Sequence, residues 1–219
     1  HKNMTLKENT DFNIEWTLSK DMYNNIGTEN DVTLILQRDN HEKVTYQYLF
    51  HLGDESALEK KEIIYECCKH VWRTFFWNSL KKFKNCSFIP IGYKSFEKTK
   101  KKTLNEKKYI WSYLGTVHHA SRFDLTYQLK KIEPNFLKKT QAFGSKDSLD
   151  SKSYYNILNE SIFLPIPIGF IHPETYRLFE CLEIGCIPVV ESPKNFFDLL
   201  FPNNPFIKIE LWKDAVNII

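Results

Sequence analysis

Arg177 and Glu180 stand at an i, i+3 spacing in PETYRLFECLEIGCIPVV, residues 173–190, directly behind a proline-containing loop. On a helix turning about 100° per residue the two side chains lie about 60° apart, with Glu174 beyond Arg177. Two chemistries fit this spacing. One is an exposed ion pair, worth a few tenths of a kcal/mol. The other is a nucleotide site, in which Arg177 neutralises a diphosphate and Glu180 accepts hydrogen bonds from ribose hydroxyls. Pro173 suits the first turn of a helix, where its missing N–H costs nothing. A helix start also offers free N–H groups to a phosphate. Leu178, Phe179 and Leu182 share one arc and are expected to face the core. Gly185 is the expected C-cap, and Pro188 is expected to enter the next strand.

A second stretch, YLGTVHHASR, ends a strand at Gly115 and leads through Thr116 to a helix with Ser121 as its expected N-cap. Gly115 would let the backbone approach a ligand closely, and Arg122 would fork onto a phosphate. Gly, Ser and Arg are also ordinary residues for a strand–helix loop. His118 and His119 lack an accompanying carboxylate or thiol at metal-ligand spacing, so they read as surface loop residues. In the first half, Asp54, Glu55 and Ser56 follow a strand that breaks at Gly53 and stand at the start of a charged helix.

Elements that would carry these residues are visible in the pattern. Strands are expected at 31–36 and 44–51, at 70–77 with a helix as the alternative, and in the short run CSFIPIGY at 86–93. From Tyr109 onward, strands at 109–116, 136–144, 162–167, 187–190 and 206–211 alternate with helices at 121–132, 151–161, 173–184 and 193–200. Such alternation argues for a parallel α/β sheet, with ligands at the carboxyl ends of its strands. The lysine-rich segment 94–108 reads as a linker or solvated loop; a nucleic-acid or lipid patch is the sharper alternative. The chain closes on WKDAVNII, which looks like a helix cut off as it starts, and it opens without Met, so a piece of something longer is expected.

Composition narrows the classes. Of 219 residues, 42% are hydrophobic and 15% aromatic, enough for a sizeable core and against global disorder. The net charge of +3 is too small to imply nucleic acid by itself. The five cysteines are odd in number and form no CxxC pair, which excludes a disulfide framework and disfavours a zinc ribbon; Cys181 and Cys186 read as packing thiols. No stretch approaches the ~20 continuous apolar residues of a membrane span. Sequons at Asn3, Asn85 and Asn159 are short patterns that support secretion only weakly.

Four ordered blocks, over roughly residues 46–190, resemble exostosin-like glycosyltransferases. Thr175, Arg177 and Glu180 followed by Gly185, Cys186, Ile187, Pro188 and Val189 resemble that group's donor-site segment, Ser/Thr-x-Arg-x-x-Glu then Gly-Cys-Ile-Pro-Val. LFHLGDES is similar to its His-Leu-Ser-Asp-Glu, with Gly53 in place of the serine. FIPIGY is similar to Ile-Pro-Leu-Gly-Tyr, and WSYLGTVHHASR to Trp-x-Phe-x-Gly followed by an arginine. Within this group the chain is also similar to the ribitol xylosyltransferase type.

The resemblance implies an α/β, GT-B-like fold of two Rossmann-like halves facing across a cleft, the first reduced or truncated. Residues 1–93 would be a partial acceptor-side domain, 94–108 the linker, and 109–219 a nucleotide-sugar-binding domain lacking its end. It implies inverting transfer from a nucleotide-sugar, UDP-linked, to a hydroxyl of a glycan or glycoconjugate, with no bound metal and no further cofactor. KDSLD offers two acids, but not at DxD spacing. The implied donor-binding residues are Gly115, Thr116, Arg122, Pro173, Glu174, Thr175, Arg177 and Glu180. An inverting transfer needs a general base; Asp54 or Glu55 is the candidate and His51 the third, while Asp54 or Glu55 could equally cap the following helix. For a eukaryotic source the resemblance implies the lumenal side of the Golgi or secretory pathway, with membrane association only through an N-terminal anchor outside this sequence. No nucleic-acid partner is expected. Two competing readings are a non-catalytic nucleotide- or sugar-binding remnant of such an enzyme, and a nucleic-acid-binding protein using lysines 98–108.

Overall fold

The computed structural model describes residues 48–52, 55–56, 65–66, 68–93, 100–142, 144–193 and 195–219, and the backbone of strands Ile14–Thr17 and Val32–Ile35. The chain divides into two compact units, His1–Pro90 and Ile91–Ile219. Each is built on a parallel five-stranded sheet, and the chain as a whole is α/β.

In the first unit, β1 (Ile14–Thr17), β2 (Val32–Ile35), β3 (Tyr48–His51), β4 (His70–Arg73) and β5 (Cys86–Phe88) pair in sequence order. Strand β1 lies in a polar stretch where no strand was expected. The register sets His51 beside Arg73, and both are buried. Arg73 Nη1 lies 2.7 Å from His51 Nδ1 and donates to the Tyr65 hydroxyl at 2.5 Å. His51 is thus engaged inside the unit. Burial raises the Cys86 thiol to about 11, with Arg73 pulling the other way.

The second unit contains β6 (Tyr109–Thr116), β7 (Asn135–Thr140), β8 (Ser161–Ile166), β9 (Ile187–Glu191) and β10 (Ile207–Ile209). Between and after them run α1 (Ala120–Leu129), α2 (Ser151–Asn159), α3 (Tyr176–Ile184), α4 (Phe196–Leu200) and α5 (Trp212–Ala215). The strand order is β10-β9-β8-β6-β7. Counted along the unit this is 2-1-3-4-5, so the winding reverses between β6 and β8. Apolar residues fill both faces. Trp111, Tyr113 and Val189 meet Leu125 and Leu129 of α1 and Trp212 of α5. Leu114, Leu164 and Val190 meet Tyr155 and Leu158 of α2, Leu178 and Cys181 of α3, and Phe197 of α4. The result is a three-layer, Rossmann-like arrangement.

One feature shapes the carboxyl ends of the central strands. Pro165 has no N–H to give to a ladder, and the β6–β8 register stops at Trp111–Phe163, although β6 runs to Thr116 and β8 to Ile166. At the far end of α3, Gly185 takes the left-handed cap at φ 77° and its N–H reaches Leu182 O at 3.1 Å, as a helix stop requires.

The described part of the lysine segment is docked on the unit. Lys102 N donates to Asn159 Oδ1 at 3.1 Å, and Asn159 Nδ2 donates to Lys100 O at 2.8 Å. Lys102 and Lys108 both reach Glu160 at 2.9 Å. Thr103 and Glu106 close a capping box. Both described sequon asparagines are therefore engaged: Asn159 is 5% exposed, and Asn85 Nδ2 donates to Tyr65 O and Cys68 O at 2.8 and 2.7 Å.

Candidate functional site

In an open parallel sheet, ligands bind beyond the carboxyl ends of the strands where the winding reverses. Here that place lies between the β6–α1 connection, 117–119, and the β8–α3 loop, 167–175. Sequence-selected residues from both stretches of chain meet there.

Arg177, in the first turn of α3, lies across the end of β6. Its guanidinium carbon is 4.5 Å from the centre of the Tyr113 ring, and Nη2 donates to Leu114 O at 2.8 Å. A Cβ on Gly115 would stand 3.0 Å from that same Nη2, so glycine is what lets the arginine lie against the strand. Burial pulls the guanidinium's proton affinity down, but the neighbouring Tyr154, Tyr113 and Glu180 outweigh it and the net shift is upward. Nη1 is buried and has no hydrogen-bond partner among the described residues; the same holds for Arg122 Nε and Thr175 Oγ1. A buried polar atom left unpaired costs about 1–3 kcal/mol, and three such atoms stand at the starts of α1 and α3.

Glu180 is placed differently from expectation. It is 6% exposed, whereas Leu182 is 39% exposed. Helix α3 therefore buries Leu178, Glu180, Cys181 and Ile184; of the expected arc, Leu178 is buried and Phe179 packs against the core, while Leu182 is turned outward. The cause is Tyr154 of α2, whose hydroxyl donates to Glu180 Oε2 at 2.6 Å. Burial pushes this phenol strongly up; Arg177 pulls it back and Glu180 pushes it further up. No ion pair joins Arg177 to Glu180 among the described residues. Tyr154→Phe removes the donor and leaves a buried carboxylate underbonded. We expect a loss of about 1–3 kcal/mol, read as a lower urea midpoint with an unchanged slope.

Helix α3 starts at Tyr176 behind Thr175, which is extended at φ −137°. Pro173 thus lies in the loop and not in the first turn, because Glu174 N is drawn to His172 Nδ1 at 3.1 Å. Glu174 is 1% exposed, and its Oε1 accepts from Ile91 N at 3.0 Å. The same loop carries Phe170 at its tip, 78% exposed, on a turn closed by Gly169 N to His172 O at 2.9 Å. On the other side, Arg122 Nη1 donates to Thr116 Oγ1 at 2.7 Å. Ser121 is inside α1, whose N-cap is His119, and its hydroxyl donates to Glu191 Oε2. His118 Nε2 pairs with Gln141 O at 2.6 Å, exposed, and among the described residues no cluster of His, Cys, Asp and Glu is placed to hold a metal ion. Cys181 and Cys186 are buried, and burial raises both thiols.

Sequence reasoning missed Tyr154, Tyr113 and Glu191. The one available signal was Glu191 itself, a carboxylate closing the apolar strand IPVVE. Of the first-half candidates, Asp54 lies outside the described residues. Glu55 lies on a turn, and its carbonyl accepts from Trp77 Nε1 at 2.9 Å.

The family model described as the RXYLT1 C-terminal domain matches residues 92–219, more than half of the chain. No curated protein matches.

Proposed function

The chain belongs to the RXYLT1 C-terminal domain family, a glycosyltransferase-like family, and from this premise we propose that its second unit binds the nucleotide-sugar of a ribitol-xylosyltransferase-like enzyme. The observation that carries the proposal is Arg177. Its charged head lies at the reversal of the sheet, held by Leu114 O and Tyr113, with Nη1 buried and unspent. An arginine pre-oriented by one hydrogen bond and one ring loses little freedom when it takes up a phosphate oxygen. Arg122 and Thr175 add a second cation and a hydroxyl from the starts of α1 and α3.

In this reading the enzyme is of GT-B type. The first unit serves the acceptor, a glycan or glycoconjugate hydroxyl, and the donor is UDP-linked. Transfer inverts the anomeric centre. Arg177, Arg122 and Thr175 carry the diphosphate charge in place of a metal, and Asp54 or Glu55 takes the acceptor proton. Glu180 accepts from Tyr154 through Oε2, and its Oε1 is the oxygen that would accept from ribose hydroxyls.

A panel of UDP, GDP, CDP and their sugar conjugates tests the donor assignment by thermal shift and by donor hydrolysis. UDP compounds are expected to raise the melting temperature, by about 2.7 kcal/mol of stabilisation at a hundredfold excess over Kd. A flat response across the panel sinks the donor reading. Binding without hydrolysis or transfer, unchanged by Asp54→Asn with Glu55→Gln, favours the non-catalytic remnant.

A further inference from the structure

Glu191 ends β9 and is buried. One of its oxygens, Oε2, collects three donors from three other segments of the unit. The Ser121 hydroxyl comes from the first turn of α1, Ile168 N from the β8–α3 loop at 3.3 Å, and Trp212 Nε1 from α5 at 2.9 Å. The first of these segments directly follows one wall of the switch point described above, the β6–α1 connection, and the second belongs to the other wall. The carboxylate also stands at the N-terminus of α1, where a negative charge is favourable. That helix start is thus served by a group of the protein itself, and Arg122 beside it is turned onto Thr116.

We propose that Glu191 is a positioning residue for the donor site, fixing the spacing between the β6–α1 connection and the β8–α3 loop. This rests on the donor reading given above. A hydrogen bond to an ionised acceptor is about twice as strong as a neutral one, so a single carboxylate can hold both walls where a neutral side chain would not. Strand β6 leads into the first wall through Leu114 and Gly115, the residues against which Arg177 lies. A shift of that wall displaces the arginine without touching it.

The test uses the full chain, with UDP as the probe. Glu191→Gln keeps the shape and loses the charge; Ser121→Ala removes one arm; Glu191→Ala removes all three. Hydrogen exchange without ligand is expected to quicken in 117–121 and 167–172 together in Glu191→Ala, and in 117–121 alone in Ser121→Ala. UDP affinity is expected to fall about tenfold in Glu191→Gln, with the double variant Glu191→Gln/Ser121→Ala no weaker than Glu191→Gln. Exchange that stays at the wild-type rate in both walls overturns the proposal. So does a melting temperature that falls while UDP affinity holds, since that marks a purely structural contact. If wild type binds no UDP, the donor reading fails, and the exchange measurement still decides whether Glu191 couples the two walls.

Discussion

Arg177→Ala is expected to weaken UDP binding about 100-fold and to lower the stability of the second unit at the same time. Both effects follow from one side chain doing two things. Nη2 satisfies Leu114 O at 2.8 Å, in the stretch of β6 that has no recorded pairing with β8. Nη1 is the buried donor without a partner among the described residues, the one the donor reading assigns to a phosphate. A hydrogen bond to a charged group is worth about 1.5–3 kcal/mol, and each 1.4 kcal/mol is tenfold in affinity. Arg177→Lys separates the roles. Lysine keeps the charge and three donors, but on one nitrogen, without the rigid planar fork that holds the carbonyl with one nitrogen and presents another to a phosphate. We expect an affinity between those of wild type and Arg177→Ala. Gly115→Val provides the mirror experiment: the arginine remains, but the new side chain presses on its guanidinium from 3.0 Å. Affinity should fall by at least about tenfold. Isothermal titration with UDP reads all three. Wild-type affinity in Arg177→Ala would remove the basis of the donor assignment.

Trp212→Ala is the second large effect, this time on folding. Trp212 is fully buried among Trp111, Leu125, Leu129, Val189 and Ile209. Truncating a buried tryptophan costs about 3–5 kcal/mol, against a total of about 5–15 kcal/mol for a domain of ordinary size. Urea denaturation should show the second unit losing a fifth or more of its stability. Trp212→Phe keeps much of the ring volume and deletes the N–H to Glu191; a loss of about 1–3 kcal/mol is expected. Equal effects of the two substitutions would mean that the hydrogen bond, and not the packing, is what the short helix contributes.

The alternation of strands and helices in the second unit was legible because punctuation marks it. Gly115 stands near the end of β6, Gly185 caps α3, and Asp150 caps α2 by accepting from Ser153 N at 2.9 Å. The face of α3 was not legible. Leu182 and Glu180 exchange places because a tyrosine on another helix supplies the partner that makes a buried glutamate tolerable. The start of α3 moved from Pro173 to Tyr176 for a local reason, the imidazole of His172 capturing an amide. Ser121 could not be read as a partner of Glu191, since no local rule links residues so far apart in sequence. In the first unit, β1 is four residues long and lies in polar sequence, below what periodicity can signal.

The contacts that complete the switch point also set the order in which it can be made. Leu114–Arg177 spans 63 residues, Ser121–Glu191 spans 70, and Trp212–Glu191 a further 21. A chain emerging from the ribosome presents its earlier parts first, while each domain folds as a unit. The walls are therefore synthesised well before the carboxylate that joins them, and that carboxylate waits in turn for the indole of α5. Translation must pass Trp212 before the crevice is locked, so a nascent chain stalled earlier lacks α5 and with it the bond that closes the crevice.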